Sequence, residues 1–173
     1  MHLESHIKVP QSAGQVWTLL NDPFFLTKWD RSVEQMIPTS TDHTTAVGFT
    51  FDTIAPKKRG QKEGLRMSYR ITEFIPDYQA KILLEKSDMF KHAVWTMRAE
   101  SSGNGCLITC MADLSLKPKY LFLWPVLKLN KKALLTDLQY LKRAIEDHYI
   151  QRPEVKVKEG DRGLIQPVWF DGN

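Results

Sequence analysis

Short stretches of alternating hydrophobic and polar residues follow one another through most of the chain. Residues 3–9 alternate loosely and end at Pro10, which predicts a first strand. Six more such stretches follow after residue 32, separated by short clusters rich in Pro, Gly, Ser, Asp and Asn. They cover residues 33–37, 46–54, 63–74, 78–86, 92–101 and 106–117. Because the separators are short, we expect neighbouring strands to be antiparallel and to form a meander.

The stretch around residue 68 indicates how the sheet is buried. Leu65, Met67, Tyr69 and Ile71 alternate with polar residues. Successive side chains of a strand point to opposite faces of the sheet, so one face is apolar and the other is polar. The apolar face therefore needs a cover.

Helical patterns lie on either side of the predicted strands. Ser12 and Gln15 form a capping-box pattern ahead of one short helix, and Asp22 with Pro23 begins a second. Residues 119–149 predict a long amphipathic helix whose regular part begins at residue 131. Its apolar residues recur at helical spacing as Leu127, Leu134, Leu138, Leu141 and Ile145. This helix is the expected cover of the sheet.

Three stretches of sequence, in this order of elements, resemble the START-like helix-grip superfamily (SRPBCC), which includes polyketide cyclases, dehydrases and lipid-transport domains. The stretches read IKVPQSAGQVWTLLNDPFFLTKWDRSV, VWTMRAESSGNGCLITCMADLSLKP and LLTDLQYLKRAIE. The resemblance covers residues 3–149 and implies an α+β fold. A curved antiparallel sheet of about seven strands would grip a long C-terminal helix, with two short helices after the first strand. It divides the chain into a helix-grip domain over 1–150 and a C-terminal tail over 151–173.

The same resemblance implies an apolar cavity between sheet and helix that holds a lipid, isoprenoid, polyketide or similar molecule. The residues predicted to line it are large or soft and lie on the inward face of the predicted elements. They are Phe49, Phe51, Met67, Tyr69, Leu84, Trp95, Met97, Ile108, Cys110, Leu134 and Leu138. A solid core, in which these side chains fill one another, is the alternative.

Composition and charge exclude several classes of protein. The chain has 173 residues, of which 42% are hydrophobic and 25% charged, as in globular domains rather than disordered ones. Its net charge of +4 is too small to predict a nucleic-acid partner. No apolar run is long enough to span a membrane and no secretory signal begins the chain, so we expect a cytoplasmic protein.

Few residues offer chemistry. The five histidines show no metal-ligand spacing and no glycine-rich phosphate loop occurs, so we expect neither a metal nor a cofactor. Cys106 and Cys110 lie four apart in a predicted strand, about 13 Å from each other, too far for a disulfide. The inward strand positions carry no carboxylate or histidine, which argues against acid–base catalysis. Tyr69 is the inward polar group, and its phenol needs a hydrogen-bond partner from the protein or a ligand.

Three functions remain open. The first is binding or transport of a small hydrophobic ligand without catalysis. The second is a polyketide cyclase or dehydrase-like enzyme with Tyr69 and His92 as polar participants. The third is an interaction module that contacts a protein or the membrane periphery through the aromatic run 120–127 and the tail.

Overall fold

The computed structural model describes residues 1–41, 44–57, 59–60, 62–87, 89–125 and 131–150, with the side chains of 131–134 excepted. The predicted tail 151–173 and the end of the aromatic run, residues 126–127, lie outside these ranges. Within the described part of the chain, no helix is both long enough and apolar enough to cross a membrane.

Seven antiparallel strands form one curved sheet, which confirms the predicted α+β fold. The order across the sheet is β1-β7-β6-β5-β4-β3-β2. Strands β2 to β7 form the predicted meander. Strand β1 pairs with β7 in an uninterrupted antiparallel register, with Leu3 opposite Ala112 and Val9 opposite Cys106. The strands are β1 (His2–Val9), β2 (Gln35–Pro38), β3 (Thr50–Ile54), β4 (Arg66–Ile75), β5 (Gln79–Lys86), β6 (Phe90–Ser102) and β7 (Gly105–Leu116).

The two strands that begin three or more residues later than their sequence pattern predicts each follow a glycine. Strand β3 begins at Thr50 rather than residue 46, because Gly48 has a φ of +92° and turns the chain. Strand β4 begins at Arg66 rather than residue 63. A Cβ at Gly64 would lie 1.7 Å from the carbonyl oxygen of Ala55, so glycine permits this close approach of the two strands.

The helices begin at the predicted caps. Helix α1 (Ala13–Leu20) has the Ser12–Gln15 capping box, and Asp22 accepts a hydrogen bond of 2.9 Å from the backbone N–H of Phe24. That cap opens a 3₁₀ turn (Pro23–Phe25), which leads into the short α2 (Leu26–Trp29). The predicted helix over 119–149 is wrong in its first part, since Pro118–Leu123 is 3₁₀. The long helix α3 is Lys131–Ile150.

The sheet bends around α3. Register shifts in β4, at Ser68/Tyr69 and Ile71/Glu73, increase the local twist and bend of that strand. Helix α3 packs on β1 and α2. Leu141 and Ile145 are completely buried with Val16 and Trp17 of α1 and with inward residues of β6 and β7. The C-terminal half of α3 therefore closes one half of the sheet with a solid core.

Candidate functional site

A large cavity occupies the other half of the molecule. Its volume is about 880 Å³, and it lies between the concave face of the sheet, α2 with the loop after it, and the N-terminal half of α3. The core is thus solid around Leu141 and Ile145 and hollow beside Asp137 and Tyr140, with Leu138 at the boundary, buried in the solid core and lining the cavity. Each of the two sequence-based alternatives, a cavity and a solid core, describes part of the molecule.

Most of the residues predicted from strand and helix parity line this cavity. They are Phe51, Met67, Tyr69, Leu84, Trp95, Met97, Cys110 and Leu138. Phe49 instead lines a separate small pocket, and Ile108 is completely buried in the solid core, because its level in β7 faces α1 and the C-terminal half of α3. The side chain of Leu134 lies outside the described residues.

The small pocket extends the apolar site beneath α1 and α2. Its volume is about 90 Å³, and five residues line both it and the large cavity: Leu26, Trp29, Phe51, Ile82 and Met97. These five residues therefore separate a narrow apolar space from the main one.

Stacked aromatic rings form one wall of the large cavity. Phe51 and Tyr69 are paired residues of β3 and β4, and their ring centroids are 5.3 Å apart with nearly parallel planes. Trp95 of β6 meets Tyr69 edge-on at 5.9 Å. This wall offers flat apolar surface to a ligand, with the ring arrangement that aromatic pairs prefer.

Two hydroxyl groups in the same wall lack a strong hydrogen bond. Among the described residues, the Tyr69 hydroxyl donates a hydrogen bond only to the Sδ of Met67, a weak acceptor, at 3.6 Å. Thr53 Oγ1 is buried in a residue 1% exposed and has no hydrogen-bond partner within the described chain. The buried and unbonded Thr53 hydroxyl costs free energy, and the weakly bonded Tyr69 hydroxyl is free to donate to a stronger acceptor on a ligand.

The phenol of Tyr69 is a hydrogen-bond donor at neutral pH. Burial raises its pKa to about 12, and the Thr53 hydroxyl nearby offsets this rise in part without the geometry of an ordinary hydrogen bond. Burial likewise raises the pKa of the Cys110 thiol to about 12, so this cysteine stays a thiol and is a poor nucleophile.

Two carboxylates line the cavity, contrary to the expectation that it would contain none. Asp30 follows α2 and Asp137 lies on α3, and the packing of these two helices brings them to one side of the cavity. Strand parity gives no information on either residue, because both belong to the helical side of the cavity. Asp137 lies three residues after Leu134 and four before Leu141, so helical spacing places it on the covered face.

Asp137 is held in an unfavourable environment for a charge. Partial burial raises the pKa of its carboxyl, and the nearby charge of Asp30 raises that pKa further. No described residue forms a hydrogen bond or ion pair with its carboxylate. By contrast, Asp30 Oδ1 accepts hydrogen bonds from the backbone N–H and hydroxyl of Ser32, at 2.8 and 2.6 Å.

Solved structures of similar shape place this arrangement in a known fold. The Zhui aromatase/cyclase from Streptomyces sp. R1128 matches with a TM-score of 0.71 and 12% identity, over 86% of this chain and 95% of that chain. A START superfamily protein from Mycobacterium smegmatis matches with a TM-score of 0.65 and 14% identity, over 85% and 98%. The chain has the START-like helix-grip fold.

A third structure with this helix-grip fold is an enzyme in complex with a small molecule. It is a point mutant of norcoclaurine synthase from Thalictrum flavum bound to a transition-state analogue, with a TM-score of 0.64 and 14% identity over 86% of this chain and 96% of that chain. The sequence itself matches no protein-family model and no curated protein. At these identities the likeness concerns the fold.

The helix-grip cavity opens to solvent beside the loop after α2. Arg31, Leu65 and Thr136 are exposed residues of its lining, and Leu65 is 62% exposed. Arg31 donates a hydrogen bond of 2.8 Å to the Tyr140 hydroxyl and also lies over the Tyr140 ring, 5.1 Å from its centroid. This contact joins the loop to α3 at the mouth of the cavity.

His92 is exposed on the helix-grip sheet and does not line the cavity, so its suggested role as a polar participant is wrong. It lies on the solvent side of β6 because its parity is opposite to that of Trp95 and Met97. In the described ranges, no three His, Cys, Asp or Glu residues are grouped closely enough to hold a metal ion. Cys106 and Cys110 are both free and buried.

Replacement of Thr53 by Val should stabilise the ligand-free protein. The substitution removes a buried hydroxyl that has no partner and keeps the side-chain shape, so the free energy of unfolding should rise by about 1 kcal/mol. Urea denaturation measures this change. Thr72→Val on the exposed face of β4 is the control; it removes a hydroxyl that donates a hydrogen bond of 3.3 Å to the Lys81 carbonyl oxygen, so its stability should fall by up to about 1 kcal/mol rather than rise. A loss of stability in Thr53→Val would show that the hydroxyl is bonded.

The stability contribution of Asp137 should depend on pH in a defined direction. Because its pKa is raised in the folded state, the folded protein binds more protons than the unfolded chain between about pH 4 and the raised value. The free energy of unfolding therefore falls as pH rises through that window. Asp137→Asn should abolish this fall, so the variant gains stability relative to wild type from pH 4 to pH 7 in urea denaturation. A difference that is independent of pH would contradict this assignment.

Proposed function

We propose that this protein binds a small hydrophobic molecule in the cavity between the sheet and α3. The observation that carries the proposal is the cavity of about 880 Å³ with a predominantly apolar lining. Ligand pockets in proteins commonly have volumes of about 300–1,000 Å³ and are lined by apolar and aromatic side chains with a few polar groups. A packed interior without a ligand-binding role has few voids larger than a water molecule.

The lining also supports a ligand with one polar end. Tyr69 presents a hydroxyl group that is bonded only to the weak acceptor Met67 Sδ among the described residues, while Leu84 and Trp95 extend the wall with apolar surface. A carbonyl or hydroxyl group of the ligand would accept a hydrogen bond from Tyr69. The apolar remainder would be held by contact with the aromatic wall, and the flexible Met67 and Met97 adapt to its shape.

A bulky side chain that fills the cavity should weaken binding. Met67→Trp adds volume inside the lining, whereas Thr72→Trp places the same side chain on the exposed face of the same strand. Fluorescence titration with Nile red, a neutral hydrophobic dye, measures binding. We expect saturable binding by wild type and Thr72→Trp, and an affinity about tenfold lower for Met67→Trp, equal to the loss of about 1.4 kcal/mol of contact. Equal affinities for all three proteins would contradict the proposal.

Catalysis on the bound molecule is the second candidate function, and Asp137 is the observation that favours it. A carboxyl with a raised pKa beside an apolar cavity is a suitable general base, and the Tyr69 phenol would stabilise a developing oxyanion. The two functions differ in the fate of the ligand. A compound extracted from purified protein and incubated with fresh protein should be recovered unchanged from a carrier. An enzyme would convert it, and Asp137→Asn would slow the conversion.

Cytoplasmic location and contact with the membrane periphery stay predictions. The described part of the aromatic run favours a surface role, because Leu121 and Phe122 are 55% and 71% exposed. Lys119 lies beside them over the Tyr120 ring, with Nζ 4.9 Å from the centroid. Apolar side chains between lysines are typical of segments that contact a lipid surface.

A further inference from the structure

The cavity lining carries more acidic than basic side chains, and they differ in whether they have a hydrogen-bond partner. Among the described residues of its lining, Asp30 and Asp137 are acidic, Arg31 is basic, and no lysine or histidine occurs. The guanidinium of Arg31 is already bonded to the Tyr140 hydroxyl and lies over its ring. The charge that is left without a partner inside the site is therefore negative.

Asp137 is the carboxylate that lacks a partner. Asp30 accepts two hydrogen bonds from Ser32 and is satisfied locally. Asp137 is half-buried in the lining, next to Leu138, and no described residue donates a hydrogen bond to it. A carboxylate that is removed from water without a counter-charge costs free energy, which a cationic ligand would recover.

A second and independent observation supports a ligand with polar atoms. The Tyr69 hydroxyl lines the same cavity from the side of the sheet and, among the described residues, donates only to the weak acceptor Met67 Sδ, at 3.6 Å. The aromatic residues Tyr69 and Trp95 line this space as well, and aromatic faces attract cations. The polar and aromatic parts of the lining therefore both suit a positively charged group.

We propose that the cavity binds amphipathic amines, with the protonated nitrogen on the Asp137 carboxylate and the apolar body against the Phe51, Tyr69 and Trp95 wall. This inference rests on the proposed function, since it names the chemical class of the ligand of the same site. Asp30 adds negative charge beside the nitrogen and disfavours anionic ligands. Fatty acids and other carboxylates are accordingly poor ligands.

Three probes of matched shape and different charge test the inference. Isothermal titration calorimetry at neutral pH and low salt compares naphthylethylamine, naphthylethanol and naphthylacetate with the full-length protein. We expect the amine to bind about tenfold more tightly than the alcohol, in the range of a charge-assisted hydrogen bond, and the carboxylate to bind most weakly. Asp137→Asn should reduce the amine-to-alcohol affinity ratio to near one. Asp147→Asn, which removes an exposed carboxylate from the same helix, should keep the ratio of wild type.

The outcomes separate the ligand class from the function. If the alcohol binds and the amine binds no better, the amine preference is overturned and hydrophobic binding stands. If none of the three probes binds, both proposals fall. If the amine preference persists in Asp137→Asn, the assignment of the nitrogen to Asp137 is overturned. Loss of the ratio in Asp147→Asn as well would show a long-range charge effect and would also overturn it.

Discussion

The burial of Leu141 and Ile145 against the sheet is the interaction on which the remaining structure depends. Both side chains are completely buried, and burial of one such side chain contributes about 1.5–3 kcal/mol. They fix α3 to β1, α1 and the inward residues of β6 and β7 at one end. At the other end the bent β4 carries the sheet around the helix, and the space between them stays open. The cavity is thus a consequence of holding a straight helix firmly at one end of a curved sheet.

The wall of the cavity contains groups that a purely structural core would not. Among the described residues, the Thr53 hydroxyl has no hydrogen-bond partner and the Asp137 carboxylate has no counter-charge, and each of these conditions costs folding free energy. Exposed polar residues would carry no such cost, and apolar residues of similar shape would remove it. Both groups have in common that they line the same space. Their cost is understandable if the occupied cavity is the functional state, since a ligand stabilises the folded chain it binds.

The sequence predicts the strands well because a half-buried sheet repeats every two residues, and Tyr69, Met67 and Trp95 lie on the inward face for that reason. The pairing of β1 with β7 could not be predicted from local pattern, since Leu3 and Ala112 are distant in sequence. The parity of a strand residue shows which face of the sheet it is on but not which part of α3 it lies opposite. Ile108 therefore faces inward, as predicted, yet packs in the solid half of the core. Helical spacing could have placed Asp137 on the covered face of α3, whereas only the tertiary packing of α2 on α3 brings Asp30 beside it.

Because one half of α3 packs in the core and the other half lines the cavity, substitutions in the two halves have different effects. Substitutions around Leu141 act on the folding equilibrium, whereas substitutions at Asp137 and Tyr140 act first on which ligands the cavity accommodates. A chain organised in this way tolerates divergence at one end of a single helix while the other end preserves the architecture. Such a scaffold acquires a new ligand through a few changes near one opening, which is consistent with a shared fold at 12% sequence identity.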